Sequence, residues 1–180
     1  MNDRAPAPGG LALVQALVNT LDLETGADAL DTSEGRAPFG LAPGAQTRAA
    51  QELRESLRVA CLAHAGHGPH ATVPTLTRLL AGAPLLVLVD AEDGSASLAP
   101  ADPAPLVSRV AAAVAQAAAA GTWGRLKACE APDCHWAYYD RSPAGRSRWC
   151  AMGVCGARAK MRAYRARKGT KGTKGTTGER

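Results

Sequence analysis

Residues 129–168 read CEAPDCHWAYYDRSPAGRSRWCAMGVCGARAKMRAYRARK. Two C-x4-C pairs, Cys129/Cys134 and Cys150/Cys155, are separated by fifteen residues, and a basic run follows the last cysteine. Four soft thiolates in two close pairs are what a tetrahedral structural Zn²⁺ requires, with Zn–S bonds of about 2.3 Å. Four thiolates also leave no coordination position for catalytic water. The segment 122–168 therefore reads as a small treble-clef-like zinc finger with four cysteine ligands around one structural Zn²⁺. Its ligands are Cys129, Cys134, Cys150 and Cys155, and its basic C-terminal helix is held against nucleic acid.

In that helix Arg158, Arg162 and Arg165 fall at i, i+4 and i+7, and Lys160, Arg167 and Lys168 widen the face. No carboxylate lies among them in the sequence, so six like charges in eleven residues favour a polyanion. Such phosphate contact is sequence-independent and salt-sensitive. Arg141, Arg146 and Arg148 in the finger loop extend the expected footprint. Ala157, Met161 and Tyr164 form a neighbouring stripe suited to packing on the zinc hairpin. From Gly169 the chain repeats Gly-Thr-Lys, and 169–180 is expected to be a disordered basic tail.

The formal charge of +5 hides a division. Residues 1–120 carry seven Lys/Arg against twelve Asp/Glu, and residues 121–180 fourteen against four. An acidic part and a basic part imply two jobs in one chain. With 46% hydrophobic residues but only 4% aromatics, the core must be aliphatic. No apolar window is long enough for a membrane span, and MNDRAPAPGG lacks a basic leader region. Five cysteines without a secretion signal point to a reducing, cytoplasmic setting.

Residues 1–10 read as a mobile leader. Apolar residues at 11, 14, 17, 18 and 21 give a helix over 11–23, and 24–45 reads as a loop. Gln46–His64 is the best helix of the first half, with Ala50, Leu53, Leu57, Ala60 and Cys61 on one face and Glu55/Arg58 as a surface pair. Thr72 opens a short helix over 73–81, PLLVLVD (84–90) and SASLAP (95–100) flank a turn, and Asp102-Pro103 opens a last helix that Gly121 ends. Leu106, Val107, Val110, Val114 and Ala118 are expected to face inward there. The fold class is mainly α with a small β-hairpin (α+β) over 11–121, followed by the finger.

At Cys129–Lys168 the sequence resembles the C-terminal finger of the CGNR zinc-finger family. The shared features are C-x4-C, Tyr139-Asp140-Arg141-Ser142, Arg148-Trp149-Cys150-Ala151-Met152, and Cys155-Gly156-Ala157-Arg158-Ala159-Lys160. The first half resembles that family's ABATE domain through LALVQALVNTL with its Asn19-Thr20 pair. The resemblance implies a transcription regulator whose finger binds DNA. The family's name-giving Asn is Ala157 here, which removes a polar contact but no zinc ligand.

Other readings have less support. His135 reads as a hairpin surface residue rather than a ligand. Trp136, Tyr138, Tyr139 and Trp149 read as packing around the metal rather than base-stacking groups. Cys61, His64, His67 and His70 have the pattern C-x2-H-x2-H-x2-H, but Cys61 lies on an apolar stripe and the histidines lie in a Gly/Pro-containing loop. No catalytic motif is evident, so no enzyme is expected. The partners expected are DNA, with RNA or an acidic protein as alternatives for the basic helix, a second copy of the chain, and a small-molecule effector for the acidic domain. A redox-responsive zinc module is the competing role.

Overall fold

A computed structural model describes residues 5–172 of the protein. Six α-helices and two small antiparallel hairpins are found among the described residues. The helices are α1 (Leu11–Val18), α2 (Ser33–Arg36), α3 (Ala45–His64), α4 (Leu76–Leu80), α5 (Leu106–Ala119) and α6 (Ala157–Gly172). The strands are β1 (Leu85–Val89), β2 (Ala96–Pro100), β3 (Leu126–Ala128) and β4 (Ala137–Tyr139). Among the described residues no helix is long and apolar enough to cross a membrane.

Helix α3 is the central element. Ala50, Leu53, Leu57, Cys61 and Leu62 recur at helical spacing and are buried against α1 and α5. Its end is set by Gly66, at φ +82°, where the His67 amide returns to the Leu62 carbonyl. Only a residue tolerant of left-handed backbone fits that cap. Helix α1 buries Leu11, Val14, Leu17 and Val18 but stops at Val18, short of the expected Leu23. The polar side chains just beyond it are committed elsewhere: Thr20 Oγ1 donates to the Leu17 carbonyl, and Asn19 reaches another element. Residues 24–45 contain α2 and two 3-10 turns (Ala29–Asp31 and Ala37–Phe39), with Asp28 capping the first turn and Thr32 capping α2. The short helix α4 is capped by Thr75 rather than Thr72. Helix α5 starts at Leu106, because Asp102 closes a local turn onto the Ala104 amide. Ala113 and Ala117, not Ala118, are buried on its inner face.

Two corrections concern polar groups. The stretch before α1 is pinned: Ala7 is buried, its amide donates to Gln15 Oε1 at 2.6 Å, and Arg141 donates to the Ala5 and Pro6 carbonyls. Residues 1–4 of the expected leader lie outside the described residues. Arg58, expected on the surface, is fully buried. It pairs with Glu55 at 3.1 Å and donates to the Val18 and His135 carbonyls at 2.8 and 2.9 Å. A buried guanidinium must satisfy its donors this way, because desolvation without partners is costly.

The segment after Gly121 does not stand apart from the helical core. Leu126, Ala128, Ala137 and Tyr139 of β3 and β4 join the same buried cluster as Leu17, Leu57 and Val110. Asn19 takes the Ala137 amide at 2.7 Å and donates to the Ala137 carbonyl at 2.9 Å, and Gln15 donates to that carbonyl as well.

Candidate metal centre and basic helix

The β3–β4 hairpin pairs Leu126 with Tyr139 and Ala128 with Ala137, which places Cys129 at the exit of β3. The Cys129 amide bonds to the Trp136 carbonyl at 3.0 Å. The intervening turn brings Cys134 back: its amide bonds to the Ala131 carbonyl at 2.9 Å, and His135 follows in left-handed backbone at φ 44°. Of the second pair, Cys150 precedes and Cys155 lies inside a π-helical turn, Met152–Gly156, that leads straight into α6. A Cβ at Gly156 would lie 2.5 Å from Met152 Sδ and 3.1 Å from Trp149 Cδ1, so a side chain there requires the exposed Met152 side chain to move aside.

The connection between the two pairs is built on Asp140, which is fully buried. Its carboxylate accepts from Lys127 Nζ at 3.0 Å, the Ser142 hydroxyl at 2.7 Å and the Ser142 and Ser147 amides. Burial alone would raise its pKa, but these donors hold it below the ordinary carboxylate range. Tyr138, buried beside it, donates its hydroxyl to the Ser147 carbonyl at 2.6 Å. The Tyr-Asp-Arg-Ser stretch thus fixes the loop that returns the chain to Cys150.

The four Sγ atoms of Cys129, Cys134, Cys150 and Cys155 lie within 4.8 Å of one another. Cys150 Sγ is 3.7 Å from both Cys134 Sγ and Cys155 Sγ. A tetrahedral ion with bonds of about 2.3 Å has sulfur–sulfur edges of about 3.8 Å, so the quartet is spaced for one such ion. The spacing excludes a disulfide, whose sulfurs lie about 2 Å apart. Three of the cysteines are buried, among Ala131, Tyr138, Trp136 and Trp149. The charges of the sulfurs conflict. Hydrogen bonding from Cys134 and Cys150 holds the Cys129 thiol low, while their contacts with Cys129 push the Cys134 and Cys150 thiols up. Four thiolates coexist at this spacing only around a cation, which fits zinc.

Among the described residues the four cysteines are the one group arranged to hold a metal ion. His135 is not part of it. It is half-buried, edge-on to His70 at 5.4 Å, and burial lowers its pKa. The Cys61/His64/His67/His70 pattern also separates. Cys61 is a core thiol pushed up to about 12 by burial, His64 bonds to the Leu126 carbonyl, and His70 bonds to Glu55.

Helix α6 contrasts with this enclosed centre. It packs on the π-turn and carries its side chains into solvent: from Ala157 to Lys168 only Ala159 is partly covered. Met161 and Tyr164, expected to pack on the hairpin, are more than half exposed. The hairpin's apolar face is already taken by α1 and α3, so none is left for the helix. The basic face also has carboxylates the local sequence did not show. Arg158 meets Glu24 at 3.1 Å and Arg162 meets Asp133 at 3.5 Å. Arg148 forms a bidentate pair with Glu130, and Arg141 is bound to the N-terminal stretch and stacked on Tyr139. Lys160, Arg165 and Arg146 project into solvent, and Lys168 lies over Tyr164. The helix runs to Gly172, past the expected limit at Lys168, and tail residues 173–180 lie outside the described residues.

Residues 125–168 match the CGNR zinc finger family model. The match starts at Arg125, one residue before β3, and ends within α6. The matched segment therefore includes the hairpin that is buried in the helical core. No curated protein matches the chain. Ala157, where the finger's name-giving Asn is replaced, is exposed on a shallow groove of about 480 Å³ with Val154, Met161, Arg158, Arg162 and Arg165. Ala157 therefore takes no part in the buried packing around the four cysteines.

Sequence reasoning misses the residues that dock the finger, Gln15, Asn19, Arg58 and His64, and Lys127, which braces the finger's own loop through Asp140 and Gly145. Asn19 is visible as part of the Asn19-Thr20 pair. Lys127 registers in the sequence only as one more basic charge.

Proposed function

We propose that this chain is a zinc-dependent DNA-binding protein of the cytoplasm, a transcriptional regulator rather than an enzyme. The observation that carries the reading is the junction of the sulfur quartet with α6: the last ligand, Cys155, lies inside the turn that launches the helix. One structural Zn²⁺ held by Cys129, Cys134, Cys150 and Cys155 would supply folding energy and charge compensation, with no open position for chemistry. The residues around the centre orient it, since Asp140 and Lys127 hold the loop and Gly156 admits the turn. In this reading the finger is treble-clef-like, with Cys129 and Cys134 on the hairpin and Cys150 and Cys155 before and within the turn that leads into α6.

Lys160, Arg165, Arg167, Lys168 and Arg146 contact phosphates in this reading. Arg158 and Arg162 join after exchanging Glu24 and Asp133 for the duplex. Exposed ion pairs of this kind are worth about 0–1 kcal/mol and yield readily to a polyanion. Residues 11–121, ABATE-like in this reading, sense a ligand or dimerise. A cavity of about 580 Å³ between α3 and α5, lined by Leu41, Ala50, Leu53, Leu79, Leu106 and Val107, has the size and apolar character of a small-molecule effector site.

Duplex-DNA affinity measured over a range of salt tests the reading. Affinity should fall steeply with salt, and Lys160/Arg165/Lys168→Ala should weaken binding and flatten the slope by about one per lost contact. Glu24→Gln with Asp133→Asn should tighten it. An unchanged triple variant would reject the assignment. A protein-interaction role is favoured by one observation, the exposed Met161 and Tyr164 beside the arginines. It would be supported by salt-insensitive retention of an acidic protein with no DNA shift. Preference for structured RNA over duplex in competition would move the substrate to RNA.

A further inference from the structure

The β1–β2 hairpin has one closed edge and one open edge. Its register pairs Leu85 with Pro100, Val87 with Leu98 and Val89 with Ala96. The flanking pairs are hydrogen-bonded, Asp90 amide to Ser95 carbonyl at 2.8 Å and Ala101 amide to Pro84 carbonyl at 3.0 Å. Bonded and non-bonded pairs alternate along an antiparallel ladder. The amides and carbonyls of Leu86 and Leu88 therefore face β2, and those of Leu85, Val87 and Val89 face outward. On the β2 side α5 packs against the strand, Pro100 has no amide hydrogen to offer, and the Leu98 carbonyl accepts from Gln116 of α5 at 2.6 Å. On the β1 side no further strand is added among the described residues.

That open edge has none of the usual protections. β1 is Leu-Leu-Val-Leu-Val, without a charge, proline or bulge. Leu86 and Leu88 are 50% exposed, and Val87 and Val89 are 67% and 66% exposed. A monomer normally blunts such an edge with lysine, proline or a covering element.

The geometry points to a second copy of this chain as the occupant, with β1 pairing antiparallel to β1 about a two-fold axis through Val87. The sequence is self-complementary in that register: Val87 opposes Val87 and Leu85 opposes Val89, which gives about six ladder hydrogen bonds from groups already aimed outward. Charge fixes the direction. Asp90, Glu92 and Asp93 crowd one end of the strand. Antiparallel pairing puts the two acidic turns at opposite ends of the ribbon, about 17 Å apart for five residues, and a parallel pair would stack them. The exposed side chains offer on the order of 300–400 Å² per protomer, below the roughly 800 Å² of a standard interface, so the proposed dimer is small and reversible. The proposal takes up the dimerisation role given to residues 11–121. It shares no residue with the finger, so its failure would leave the DNA reading untouched.

Sedimentation velocity of the full-length chain across the micromolar range tests it. The wild type should show a reversible monomer–dimer shift. Val87→Lys and Val87→Glu, which place like charges across the axis, should each raise the dissociation constant roughly tenfold or more. Mixing the two variants should restore the dimer, because Lys then opposes Glu. Circular dichroism checks that both variants fold, as expected for a position two-thirds exposed. A wild type that stays monomeric, a Val87→Lys variant that dimerises like wild type, or a mixture that stays monomeric would each overturn the proposal.

Discussion

The two hairpins of this molecule invert the usual expectation. β1–β2 is the more apolar and the longer, yet most of β1 is in solvent. β3–β4 carries a lysine and two tyrosines in six residues, yet all six are buried. Apolar content does not decide which hairpin enters the core; the supply of partners for its polar groups does. Lys127 is admitted by Asp140, the Ala137 peptide by Asn19 and Gln15, and the His135 carbonyl by Arg58. The outer hairpin has no such set on its open side, and the proposed pairing with a second copy would account for its exposure.

The largest effect expected within this comparison comes from Asp140→Ala. It leaves Lys127 buried without its counter-charge, a loss of about 3–5 kcal/mol. Urea unfolding should show a shifted midpoint, and Asp140→Ala combined with Lys127→Met should recover much of the loss. If the double variant is no better than the single, the pair is not what admits the hairpin. Asn19→Ala comes next. It strands a buried amide and weakens a carbonyl, at about 1–3 kcal/mol by the same measurement. A variant within about 0.5 kcal/mol of wild type would mean that water replaces Asn19 without penalty.

The smallest effect is a pH dependence. Burial raises the Glu55 pKa, but Arg58, Arg54 and His70 outweigh it and hold the carboxyl below its ordinary 4.5. A depressed folded pKa contributes stability that is full above the ordinary value and is lost as pH falls through the folded one. The stability gap between wild type and Glu55→Gln should therefore be constant from about pH 7 to about 5 and shrink below it. A gap that widens on acidification would contradict the assignment.

Much of this is legible in the sequence. Strong helical periods place α3 and α5, Gly121 marks the end of α5, and the C-x4-C spacing identifies the quartet that the fold brings together. What is not legible shares one physical cause, because each failure involves a group whose partner is remote in the chain. Arg58 looks like a surface residue because Glu55 is its visible neighbour, while its other partners are carbonyls of Val18 and His135. The α6 arginines look uncompensated because Glu24 and Asp133 come from other elements. Met161 and Tyr164 have a stripe of the right period for packing, and periodicity says nothing about whether a receiving surface is already occupied. The open edge of β1 is equally hidden, since the hairpin is legible but its exposure is not.

The most direct measurement of the central claim follows zinc and DNA together. Zinc released from the full-length chain is titrated with a thiol-blocking reagent while fluorescence anisotropy reports a labelled duplex. Release of one zinc per chain should coincide with loss of salt-sensitive duplex binding, since in the proposed function the ion would both close the quartet and hold the turn that leads into α6. Duplex binding that persists unchanged after the zinc has left, or a purified chain that holds no zinc, would contradict the account.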